Sequence, residues 1–82
     1  MKTMAEILAD HDALVEHVLE RARAFKKDDE LKLSDDEALI YAAFNLCADL
    51  SEFGYGRQPI LDVQLAYLHA SAAVHLRDVL RT

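Results

Sequence analysis

The residues of this 82-residue chain whose types could do chemistry are four histidines, one cysteine, two acidic triplets and a Gly-Tyr-Gly-Arg loop. His11 stands among Ile7, Leu8, Leu14 and Val15 on what helical spacing makes an apolar face, so its imidazole is expected to be buried or to meet another helix at a seam. Helical bundles that hold metal through carboxylates use Glu-x-x-His spacing on inward faces, and neither Glu-x-x-His nor His-Glu-x-x-His occurs here. His11 and His17, and likewise His69 and His75, are six residues apart, which turns the members of each pair about 120° from one another around a helix. No metal or other cofactor is expected. A histidine at a seam would instead respond to pH, because imidazole changes charge near neutrality.

Cys47 has Phe44, Leu46, Ala48 and Leu50 as near neighbours in sequence. A reactive thiol needs an electropositive, partly exposed setting, so Cys47 reads as an inert core thiol. No Gly-x-Ser-x-Gly occurs, and Ser34, Ser51 and Ser71 all have ordinary places on or beside helices. The chain therefore reads as non-catalytic.

Asp28-Asp29-Glu30 and Asp35-Asp36-Glu37 repeat one triplet seven residues apart. The second suits the first turn of a helix, where negative charge is favoured, and the first suits a solvated loop. The Asp-x-Asp-x-Asp-Gly spacing and loop glycine of an EF-hand are missing. As a surface for a partner, the candidates are Asp28, Asp29, Glu30, Asp35 and Asp36, with Tyr67 as an aromatic contact. In Gly54-Tyr55-Gly56-Arg57-Gln58-Pro59, Arg57 stands just before a helix start, where free amides favour anions. Tyr55, Arg57 and, further on, His75 are thus candidates for an anionic ligand or nucleotide. The loop matches neither a Walker pattern nor Gly-x-Gly-x-x-Gly, and a helix-to-helix connector accounts for its glycines and proline.

These residues must be positioned by helices. Over residues 4–27, Met4, Ile7, Leu8, Leu14, Val15, Val18, Leu19, Ala22 and Phe25 recur at helical spacing with no Gly or Pro among them. Acids crowd the first half and Arg21, Arg23, Lys26 and Lys27 the end, as the helix dipole prefers. Ser34 and Glu37 form a capping-box pattern that opens a second helix over 34–53, whose apolar arc spans roughly 240° and leaves Asn45, Asp49 and Glu52 on the remaining side. Gly54 suits its C-terminal cap. Pro59 suits the first turn of a third helix over 59–80, which carries two apolar faces. One is made by Leu61, Leu65, Leu68, Ala72, Leu76 and Val79; the other by Val63, Ala66, Tyr67, Ala70, Ala73 and Val74.

The expected fold is therefore all-α: one domain over residues 1–82, a three-helix antiparallel bundle. The first helix has a single apolar stripe, whereas the second and third have apolar surface to spare. Large exposed apolar patches mark interfaces, so a homodimer or higher oligomer packed through helices two and three is expected. The many alanines of those helices also suit close helix approach.

Fifteen Asp and Glu against nine Lys and Arg give a net charge of −6, the wrong sign for neutralising a phosphate backbone. The third helix offers Asp62, Gln64 and His69 early, and no arginine from Pro59 until Arg77, unlike a helix that reads DNA. No apolar run reaches the ~18 residues of a membrane span, the N-terminus lacks a signal-peptide layout, and a lone cysteine fits a reducing cytoplasm. The expectation is a small acidic cytoplasmic interaction protein that self-associates, then binds another protein and modulates or inhibits it. Phage and mobile elements commonly encode regulators of this profile. The alternative is a module that binds or sequesters a small anionic ligand at the 54–59 loop.

Overall fold

The computed structural model describes residues 3–52 and 54–77. Within them four α-helices follow one another: α1 (Met4–Ala9), α2 (His11–Lys27), α3 (Asp35–Glu52) and α4 (Arg57–Arg77). The all-helical expectation holds. The single first helix does not, because it is divided at Asp10, and the expected three helices are four. The expected ends at 53 and 80 fall outside the described residues.

Asp10 divides the helix because its carboxylate competes for backbone amides. Its backbone is extended at φ −122° and ψ 110°, and it serves as C-cap of α1 and N-cap of α2 together. The side chain accepts hydrogen bonds from the Asp12 and Ala13 amides at 3.1 and 3.4 Å. α1 has its own capping box, in which Thr3 Oγ1 accepts from the Glu6 amide at 3.2 Å and Glu6 Oε1 accepts from the Thr3 amide at 3.3 Å. The expected box at α3 is also formed: the Glu37 amide donates to Ser34 Oγ at 3.2 Å and the Ser34 amide to Glu37 Oε1 at 3.1 Å.

α3 ends at a left-handed glycine. Gly54 has φ 81°, its amide donates to the Ser51 carbonyl at 3.2 Å, and the Tyr55 amide reaches back to the Leu50 carbonyl at 3.0 Å. This pair of bonds satisfies carbonyls that the helix end leaves open. Alanine at position 54 meets no steric obstacle nearby, so Gly54→Ala isolates the cost of placing a Cβ in left-handed backbone, about 1–2 kcal/mol. Urea unfolding is expected to show that loss, with Gly54→Asn losing less. α4 begins at Arg57, two residues before the expected Pro59; proline remains in the first turn, where its missing N–H costs nothing.

α2, α3 and α4 each pack on the other two, and α1 packs chiefly on α2. Among the described residues the core between them is wholly apolar: Leu14, Val18, Leu19 and Ala22 of α2, Ala38, Leu39, Ala42, Leu46 and Leu50 of α3, and Val63, Ala66, Ala70 and Val74 of α4. α1 adds no buried residue; its Met4, Ile7 and Leu8 lie half-buried against the core. Alanine lets helix axes approach, and Ala22, Ala38, Ala42, Ala66 and Ala70 occupy those close contacts while Ala48 and Ala72 are exposed. Among the described residues, no helix is long and apolar enough to cross a membrane.

Candidate functional site

The two apolar faces of α4 have different fates. Val63, Ala66, Ala70 and Val74 turn inward, while Leu61, Leu65, Leu68 and Leu76 lie on the exposed side. Exposed Ala72 continues that stripe, and Val79 lies outside the described residues. α3 has surplus too: Ile40 and Phe44 are exposed beside α4, with Phe44 keeping 71% of its surface in solvent. Between the helices runs an open groove of about 430 Å³, lined from α3 by Ile40, Ala43, Phe44 and Cys47 and from α4 by Val63, Gln64, Tyr67 and Leu68.

This outer face carries no formal charge over most of its length. No Asp, Glu, Lys or Arg occurs between Glu37 and Asp49 on α3, or between Asp62 and Arg77 on α4. In a chain of net charge −6, such a gap is informative, because charged residues are depleted at the centres of protein interfaces. Cys47 belongs to the groove rather than to the deep core; it is half-buried, and burial pushes its thiol pKa up, which disfavours the reactive thiolate. Tyr67 is also half-buried in this groove.

Charged residues lie elsewhere, and several of them tie helices together. Asn45 and Asp49, one turn apart on α3, share Arg21 of α2: Arg21 Nη2 meets Asp49 Oδ2 at 2.8 Å and Nη1 donates to Asn45 Oδ1. The polar side of this helix was visible in the sequence, but its partner was not. Arg21 Nε also donates to His17 Nε2 at 3.3 Å. Lys26 pairs with Asp35 at 3.0 Å and donates to the Leu33 carbonyl at 3.2 Å, closing the loop between α2 and α3.

Several sequence candidates are engaged in this way. Asp28 is the C-cap residue of α2 and accepts from the Glu30 amide at 3.1 Å, Asp35 holds Lys26, and Asp36 meets His75 Nε2 at 3.0 Å. Asp29 and Glu30 are exposed in the loop. Tyr55 lines a depression with Met4, Asp49 and Leu50. Arg57 is exposed at the start of α4, whereas His75 lies eighteen residues later on that helix, roughly 27 Å along its axis. The proposed ligand residues are therefore not gathered into one pocket.

His11 is half-buried at the first position of α2 and meets His69 of α4, with Nε2 to Nδ1 at 2.6 Å and the rings edge-to-face at 4.7 Å. One nitrogen must donate and the other accept. Spacing within each helix gave no sign of this pair, which tertiary packing creates. No group of three or more His, Cys, Asp or Glu side chains gathers in a metal-binding arrangement among the described residues.

The chain matches no protein-family model, curated protein or solved structure with which it was compared.

One polar contact does give a pH dependence. Burial, then the adjacent Arg21 charge, lowers the His17 pKa, with Glu20 and Asp49 opposing weakly. The unfolded imidazole titrates at about 6.5, so below that pH the unfolded chain binds more protons at this site than the folded one. The contribution is present in full above the unfolded pKa and is lost as pH falls through the lower folded value. The difference in unfolding free energy between the protein and His17→Gln is expected to shrink on acidification from pH 7 to pH 5. A difference independent of pH would contradict this assignment.

Proposed function

We propose that this protein is a small, non-catalytic helical interaction module that self-associates through the outer face of α3 and α4 and, as an assembly, binds and modulates another protein. The observation that carries the reading is the uncharged apolar surface running from Ile40 and Phe44 across the groove to Leu61, Leu65, Leu68 and Leu76. A large contiguous patch of this kind is costly in water and is characteristic of surfaces that meet another protein. Asp29 and Glu30, exposed in the loop after α2, are not among the residues that line the groove and offer a modulated partner a surface of different chemistry.

Sedimentation velocity across micromolar concentrations tests the assembly step. The unmodified chain is expected to be a dimer or larger, and Leu68→Glu a monomer with unchanged helicity, because a buried carboxylate opposes association while an exposed one leaves the fold intact. A wild-type chain that stays monomeric throughout would overturn the self-association reading.

A further inference from the structure

We infer that the second copy docks with its α4 antiparallel to the first, about a two-fold axis passing midway between Leu68 and His69. This rests on the reading above that the outer face receives a copy of the same chain; it adds the geometry of the contact.

The apolar stripe on α4 is Leu61, Leu65, Leu68, Ala72 and Leu76. Its first steps alternate four and three residues, the spacing of a helix-to-helix seam. Four of its five members are symmetric about one point, and the fifth, Leu68, stands half a residue from it. Leu61 and Leu76 stand equally far from the point between Leu68 and His69, as do Leu65 and Ala72. A two-fold contact is self-complementary, each residue meeting the partner's counterpart reciprocally. Antiparallel pairing therefore sets Leu61 against the partner's Leu76 and Leu65 against the partner's Ala72, with Leu68 beside the axis. Leucine facing alanine interdigitates at close helix separation, whereas a parallel pair would set Ala72 against the partner's Ala72 and leave a gap. Antiparallel helices also oppose their dipoles, while parallel ones align them.

The available surface suits this partner. Ile40, Phe44, Leu61, Leu65, Leu68 and Leu76 are 41, 71, 49, 48, 62 and 82% exposed. With the roughly 150–200 Å² of an aromatic side chain as the upper value for each when fully exposed, covering all of it would bury at most roughly 500–700 Å² per subunit, against the ~800 Å² that a stable interface covers on each side. Phe44 lines the same groove as Leu68, so a two-fold axis beside Leu68 brings the two Phe44 rings to one edge of the seam.

Thiol cross-linking tests the register. In a Cys47→Ala background, cysteines are placed as Leu65→Cys, as Ala72→Cys and as both together, and native mass spectrometry records the non-covalent state of each before mild oxidation. The double variant is expected to form covalent dimers at least tenfold faster than either single variant, and Leu68→Cys alone to cross-link readily. If the variants are dimeric but Leu65→Cys alone cross-links as fast as the double variant, the antiparallel register is overturned and self-association stands. If the unsubstituted chain and the Cys47→Ala background are both monomeric, the self-association reading fails and the register with it.

Discussion

Leu46→Ala is expected to lower the unfolding free energy by about 2–5 kcal/mol, the range for removing a large buried aliphatic side chain and leaving part of its volume empty. Leu46 is 0% exposed near the middle of α3, which packs on both α2 and α4 and supplies five of the buried core residues. A chain of this length typically has roughly 4–12 kcal/mol of total stability, so this one substitution removes a large share of it. Urea denaturation followed by helical circular dichroism measures the effect, with the midpoint falling and the slope retained. The measurement belongs at several protein concentrations, because association of folded chains raises apparent stability. A loss below about 1 kcal/mol would mean that the space around Leu46 collapses readily and that α3 is not the centre of the core.

The second large effect runs in the opposite direction of volume. Ala42→Leu is expected to cost about 1–3 kcal/mol or more by forcing extra carbons into a filled space. Ala42 is completely buried, and its small side chain suits the close approach of neighbouring helices. Leucine forms helices nearly as well as alanine, so propensity cannot account for a loss of that size. Ala48→Leu on the exposed side of the same helix is the matched control and is expected within about 0.5 kcal/mol of the parent. Equal stability of the two variants would show that a cavity, rather than close packing, surrounds Ala42.

These two substitutions bear on what was legible in the sequence. Helical periodicity gave the class of fold, and Ser34, Glu37 and Gly54 marked the limits of α3 through backbone groups that require satisfaction. The same logic was available at Thr3, Glu6 and Asp10. There the continuous apolar pattern through Ile7, Leu8, Leu14 and Val15 concealed the break, because a short helix and a longer one sharing a face repeat almost like one helix.

For α4, spacing identified two apolar faces but could not orient them. The face with alanine and valine is the buried one and the leucine stripe is exposed, a choice made by how closely three helices can approach rather than by total hydrophobicity. The groove was legible only as surplus apolar surface on two helices. The Arg21 cluster and the His11–His69 pair join residues far apart in sequence, and no local pattern records those meetings. His75 shows the reverse: a residue type suited to the same ligand as Tyr55 and Arg57 that the length of α4 leaves apart from them.

The division at Asp10 has a consequence in time. A six-residue helix is too short to persist alone in water, and α1, with no fully buried side chain, is held by the half-buried contacts of Met4, Ile7 and Leu8. Its opening therefore costs less than unfolding the core, and its amides exchange with solvent before those of α2, α3 and α4. Because Met4 lines one depression with Leu50 and Tyr55, each opening also uncovers the corner where α3 turns toward α4. Tyr55 is already exposed there while Leu50 is 1% exposed, so α1 is a clock on Leu50, and the rate at which it opens sets how often solvent reaches that side chain.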